Sequence, residues 1–195
     1  MTQNNEFEPL FTSADDWQCN ARLNWSDDPL ELYAIGYKEA ADILVKQVME
    51  TAFHQDALVY PICFLYRQYI ELRLKEIIQS GRKLLDEKGS FPKHHKIQTL
   101  FATVKEVIKG VFQNEKEPNL SLPEHVISEF SKLDPDSSSF RYPTDKSGMS
   151  LISAISHINM RHLYEYIGKF AEDMDAISFS ISVYHDRKRE IQSCY

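Results

Sequence analysis

Apolar residues recur along this chain at intervals of three and four, the spacing of helices that turn one side to a core. The cleanest stretch is Ile97, Leu100, Phe101, Val104, Val107, Ile108 and Val111, which predicts a helix ended by Gly110 and the residues Asn114 to Pro118. Tyr33, Tyr37, Ala40, Ile43, Leu44, Gln47 and Val48 predict an earlier helix over about Leu30–Ala52. Its start is written in Ser26-Asp27-Asp28-Pro29: Asp28 can accept the free first-turn N–H groups, and Pro29 suits a first helical position that needs no donor. A second helix is expected over about Gln55–Leu85, with Pro61 in its first turns. Ile62, Tyr66, Tyr69, Ile70 and Ile77 share one of its faces, and Arg67, Glu71 and Lys75, spaced four apart, are expected to pair along the opposite surface. Arg73 falls inside the apolar arc with Glu76 three residues on. Its stem either covers apolar surface, with the head in water or in a local ion pair, or carries the charge into a groove or subunit interface.

Lys88-Gly89-Ser90-Phe91-Pro92 breaks the pattern between the second and third helices. Ser121-Leu122-Pro123-Glu124 reads as a capping box ahead of a short helix carrying Val126, Ile127, Phe130 and Leu133. A polar loop then runs from Asp134 to Ser150, long enough to suggest a functional role. The last helical region spans about Leu151–Tyr184 with a break near Asp173–Asp175; Ile152, Ile155, Leu163, Tyr166, Ile167, Phe170, Met174 and Ile177 supply its apolar face. Ahead of everything, residues 1–25 are irregular, with Phe7, Phe11, Trp17 and Trp25 as aromatic anchors that strap the core or cover a partner. The expected organisation is a strap over 1–25, an all-α antiparallel bundle of about five helices over 26–184, and a charged, solvated tail over 185–195.

Composition narrows the partners. With 43% hydrophobic residues in 195, 6 glycines and 8 prolines, the chain can bury a core and is neither turn-rich nor disordered. The net charge of −7 leaves no overall basic field, so a nucleic acid would need a local basic groove. Cys19, Cys63 and Cys194 are odd in number and far apart, which fits a reducing cytoplasm better than a disulfide framework or a zinc knuckle. No apolar run approaches the roughly 20 residues of a bilayer span, and a soluble cytoplasmic protein without a membrane partner is expected.

Three short patterns occur in one order: Glu71-Leu72-Arg73-Leu74-Lys75, His95-Lys96-Ile97-Gln98-Thr99-Leu100 and Phe140-Arg141-Tyr142-Pro143. Glu71 and Lys75 within an apolar helix, a helix opening on His95, Lys96 and Ile97 with Leu100 on the same face, and an Arg141-Tyr142-Pro143 loop together resemble the HEPN family of prokaryotic helical domains, over roughly residues 30–170. The resemblance implies a helical fold, a homodimer, and a place in anti-phage defence or a toxin–antitoxin pair with a partner protein from the same operon. Active HEPN proteins are metal-independent ribonucleases that use an arginine and a histidine with four to six residues between them. In such a pair histidine moves the proton and arginine grips the phosphate. Here Lys146, Ser147 and Gly148 occupy the positions where the histidine would follow Arg141, so the resemblance implies the fold without the nuclease.

Arg141 is the loop arginine that carries over, either toward RNA or as a residue fixing its own loop through backbone carbonyls, Asp134 or Asp136. Folding the loop back would bring it near His157 or His162, whose bland alternative is a hydrogen-bonded helix histidine. A groove of Arg73, Arg141, Tyr142 and Lys146 is the candidate RNA-binding surface, with Arg141, His157 and His162 the candidate catalytic set. No phosphate-binding glycine loop, zinc helix or nucleophile elbow occurs, and no metal or cofactor is expected. Two functions follow: an RNA-binding or RNA-cleaving protein, or a catalytically inactive module that dimerises or regulates a partner protein.

Overall fold

The structure, a computed structural model, describes residues 10–26, 28–113 and 115–194. Five α-helices make the bundle: α1 (Pro29–Thr51), α2 (Gln55–Leu84), α3 (Ile97–Val111), α4 (Ser121–Leu133) and α5 (Met160–Ser193). A 3-10 turn, Trp17–Cys19, precedes them. Among the described residues there is no β-strand, and no helix is long and apolar enough to cross a membrane. Phe7, Asp27 and Asn114, named above, lie outside the described residues.

The all-α bundle predicted by periodicity is what forms, and α2 is its axis, packing against α1, α3 and α5. Between Tyr66 and Ile78 every residue except Gln68 and Leu72 is buried. A helix covered on all sides must bury its polar face too, and the expected surface row Arg67, Glu71 and Lys75 lies inside the protein. The sequence pattern marked the polar face correctly but not that α3 and the segment leading into it would cover that face.

Helix α1 begins as expected, with Asp28 Oδ1 accepting from the Leu30 and Glu31 N–H groups and Pro29 at its first position. Its buried face, however, is Ala34, Ala41, Val45 and Val48, while Tyr33 and Ile43 of the expected stripe face outward. Two alanines allow close approach to α2, where the Tyr66 hydroxyl donates to Asp42 at 2.8 Å. The larger residues of the second stripe are left outside. In α3 the predicted apolar stripe is buried from Ile97 to Ile108.

Two helix starts differ from the sequence reading. Ser121 opens α4 without capping it: Asn119 Oδ1 accepts the Ser121 N–H, and Glu124 reaches Lys105 of α3 at 2.8 Å instead. Helix α5 starts at Met160, capped by Asn159, not at Leu151, so His157 and Ile155 stand in irregular chain ahead of it. It continues without a break through Asp173–Asp175, because Met174, Ile177 and Ile181 keep the buried register while the acids point away from the core. It runs on to Ser193, so the charged stretch from His185 is helical. His185 donates to the Ser80 carbonyl at 3.0 Å, and Lys188 to the Leu84 carbonyl at 2.8 Å, satisfying an orphan acceptor at the end of α2. Phe11, Trp17 and Trp25 do not strap the core; they are exposed.

Gly81 lets α2 pack closely on α3: a methyl group there would overlap Val107, a stiff β-branched side chain with little room to yield. Gly81→Ala should therefore destabilise the bundle by about 1–3 kcal/mol despite alanine's better helix propensity, read as a lower denaturant midpoint. A raised midpoint would show that the two helices part without cost.

Candidate functional site

The motif residues of α2 form an interior network. Arg67, 0% exposed, donates to Glu71 at 3.2 Å and to the His95 carbonyl at 2.5 Å. Lys75 Nζ reaches the other Glu71 oxygen at 2.7 Å, and His95 Nδ1 lies 2.8 Å from that same oxygen. A carboxylate can only accept, so His95 donates through Nδ1. Burial alone would raise the Glu71 carboxyl, but the Lys75 and His95 hydrogen bonds and the Arg67 charge hold it below the ordinary range. The His95 segment is thereby tied to α2 just where α3 begins.

One turn on, Arg73 points to the opposite neighbour. It pairs with Glu76 at 3.3 Å and with Asp175 of α5, and Ser178 of α5 donates to Glu76 at 3.0 Å. One guanidinium thus stands between two carboxylates. Burial pushes the inner one, Glu76, up to about 7, with Arg73 opposing and the acids at Asp28 and Glu31 adding to the rise. Arg73 is held in its charged form by Glu76 and Asp175 although burial works against it.

The loop after α4 is built around Asp134. Its Oδ1 accepts from the Ser138 and Ser139 N–H groups, and Arg141 Nε donates to the Ser137 carbonyl at 2.6 Å. Of the two readings of Arg141, the loop-fixing geometry through a backbone carbonyl is present, while the guanidinium lies 5.9 Å over the Phe64 ring and 5.6 Å over that of Tyr142. Phe64 precedes Arg73 by nine residues of α2, about half a turn round and about 13 Å along the helix. Arg73 and Arg141 therefore do not line one groove. Lys146 sits exposed at the tip of a turn closed by Asp145, which accepts from the Ser147 and Met149 N–H groups.

A cleft of about 600 Å³ lies beside this loop, where the end of α1 and the start of α2 meet the segment leading into α5. Val48, Met49 and Val59 form one wall, Ile152, Ile155, Ile158 and Met160 the other, and Phe140 is shared with the Asp134 loop. Polar groups reach it as Gln55, Asp56, Tyr60, His157, Asn159 and Arg161. His157 is the only member of the candidate catalytic set on its wall; Arg141 is not among the lining residues, and His162 turns its ring to Tyr166 at 4.5 Å. Among the described residues, no group of three or more His, Cys, Asp or Glu is placed to hold a metal ion. Cys63 is buried, and burial together with Asp134 pushes its thiol up to about 12.

No family model, curated protein or solved structure matches this chain.

Arg161 and Tyr60 are among the lining residues that sequence reasoning passed over. Arg161 has no histidine following it at the ribonuclease spacing; its cleft neighbour His157 precedes it by four. At 100° per residue Tyr60 lies about 120° from Tyr66 and 180° from Tyr69, off the core face of α2, a signal the sequence did offer.

Removing one member of the interior row should cost more than the pair contributes net, because an uncompensated charge stays buried. Glu71→Gln is expected to lower unfolding free energy by about 3–5 kcal/mol, with Arg67→Met in the same chain recovering part of the loss. An equally destabilised double variant in urea titrations would refute the pairing.

The clasp between α2 and α5 has the opposite pH response to an ordinary ion pair. Glu76 binds its proton more tightly folded than unfolded, so between pH about 4.5 and about 7 the folded state holds more protons, and this group's contribution to stability falls as pH rises. Glu76→Gln should flatten the slope of stability against pH across that window. An unchanged slope would place the titration elsewhere.

Proposed function

We propose that this chain is a non-enzymatic protein-interaction module of HEPN-like build, which docks a protein segment in the cleft beside the Asp134–Tyr142 loop. The observation that carries this reading is the cleft's character. Aliphatic side chains of α1, α2 and the segment before α5 face one another across it among the polar groups, Tyr60 is 51% exposed at its edge, Ile155 is exposed on one wall, and exposed Phe53 lies two residues before Gln55 of the lining. Of the charged residues that would serve RNA, Arg73 is engaged in the α2–α5 clasp and Arg141 bonds its own loop, which leaves Lys146 exposed at the tip of its turn. A net charge of −7 adds no attraction for phosphate.

A second reading rests on one specific observation: His157 and Arg161 lie on the same wall, a proton-moving group beside a phosphate-gripping one. In that case the cleft would take a nucleotide of an RNA, without metal.

Photo-crosslinking separates the two. With benzoylphenylalanine in place of Tyr60, illumination of intact cells should give one discrete protein adduct, and purified protein in EDTA should leave total tRNA uncut. Adducts to RNA, or cleavage abolished by His157→Ala or Arg161→Ala, would overturn the module reading in favour of the second.

A further inference from the structure

The clasp between α2 and α5 holds more negative charge than it can neutralise. Glu76 and Arg73 are 5% and 6% exposed, while Asp175 of α5 is open to water. Arg73 pairs with both carboxylates, and the Ser178 hydroxyl adds one neutral donor to Glu76 at 3.0 Å. From α1, Asp28 and Glu31 act on Glu76 with the same sign as Asp175. The buried Tyr69 hydroxyl beside the cluster makes no hydrogen bond, so it gives Glu76 no further donor. Among the described residues, one guanidinium thus stands against four carboxylates. Asp28, Glu31 and Asp175 are exposed, where water screens their charge. Glu76 is the one acid of the four without that solvation, and so the one that gains most from a proton.

The helix that Glu76 faces is held unevenly. The first half of α5 buries Ile167, Phe170, Ala171 and Met174. Beyond Met174 only Ile177 and Ile181 are buried, and nothing after Ile181 is. The rest of its hold is polar or peripheral: the clasp itself, His185 on the Ser80 carbonyl, Lys188 on that of Leu84, and Tyr184 on Phe112 and Glu115. A stretch with few buried apolar side chains is the kind that opens without the rest of the fold.

We propose that the clasp is a proton-controlled latch: protonated Glu76 keeps the part of α5 from Asp175 to Ser193 docked on α2, and ionised Glu76 lets it go. Docked, ionisation leaves an added charge in a site closed to water. Released, Glu76 is hydrated and Asp175 parts from Arg73. The Glu76 carboxyl is pushed up to about 7 in the docked state, by burial first and by the α1 acids, against Arg73 and Ser178. On release it returns toward its ordinary 4.5. The docked state therefore binds the proton more tightly, and docking is fully favoured below about 4.5 and weakens as pH rises through about 7. Between pH 6 and pH 8 these values make release about tenfold more favourable. Release uncovers Ile177 and Ile181, whose Cδ1 lies 3.7 Å from where a Gly81 Cβ would be. Apolar surface is then offered at neutral and alkaline pH and withdrawn in mild acid. The latch does not depend on what the cleft receives.

Amide hydrogen exchange on the full chain at pH 6, 7 and 8, with intrinsic rates divided out, tests the proposal. Protection of residues 175–193 should fall about tenfold from pH 6 to pH 8, while that of α3 over 97–111 falls much less. Glu76→Gln, which stays neutral, should hold 175–193 protected with no pH trend. Ser178→Ala, a mild change on a helix, removes the donor that favours ionised Glu76, so it should move the loss of protection to higher pH. Three results would each overturn the latch: a wild type without the trend, a trend that survives Glu76→Gln, or protection lost equally in α3 and α5. The last would leave Glu76 governing the whole fold and not the docking of one helix.

Discussion

Everything else in this bundle leans on the row of charge inside α2. Arg67, Glu71 and Lys75 lie four residues apart on a helix that is covered on all sides, so none can be left to water. One carboxylate takes donors from both neighbours and from His95, and Arg67 turns its second nitrogen to the His95 carbonyl. Replacing such a set by packed aliphatics is often neutral or better for stability. Its contribution is better sought in uniqueness. An apolar α2 could rotate or slide against α3, whereas these bonds admit one register, set by where His95 stands. The turn into α3, the close approach of Gly81 to Val107 and the position of the Asp134 loop on the same side of α2 all depend on that register.

The cleft is a consequence of how the chain is tied down elsewhere. Asp134 fixes the loop after α4, Phe140 is pinned edge-on against Phe130, and Asn159 fixes the start of α5. The irregular residues between are held at both ends over the turn from α1 to α2, where Ala52 and His54 both adopt positive φ. They cannot collapse onto that turn without breaking one of these anchors, so aliphatic side chains on both sides face a gap. A docking surface held open in this way needs little reorganisation on binding, which favours affinity.

The fold was legible because helical period is a local property: α3 could be read almost residue by residue, and Asp28-Pro29 marked the start of α1. What the sequence concealed came from tertiary context. Arg67, Glu71 and Lys75 looked like a solvated row because pairing at i, i+4 is the same on a surface and in an interior; only the covering segment near His95 distinguishes them. In α1 two apolar stripes compete, and the one with larger residues is not the one buried, because alanine permits the closer approach. Residues 151–159 are apolar enough to read as helix, yet Asn159 caps Met160 and ends that possibility. The site was less legible still. Arg161, Tyr60 and Phe140 meet His157 only through the loop's return, a contact that no spacing encodes.

The residues of the three sequence patterns are those the protein uses to hold itself together: Glu71, Lys75 and His95 in one network, with Arg141 fixing its own loop. A motif of that kind can persist without any activity, since loss of a member costs the fold. Function then has to be sought where folding has no use for the side chains. Leu10, Phe11, Trp17, Leu23 and Trp25 stabilise nothing in a single chain, and neither do Tyr33, Ile43 or the exposed edge of Tyr60. Exposed apolar surface of this extent is unfavourable to solubility unless something covers it. The segment ahead of the bundle, the outer side of α1 and the cleft are three such surfaces on one small protein.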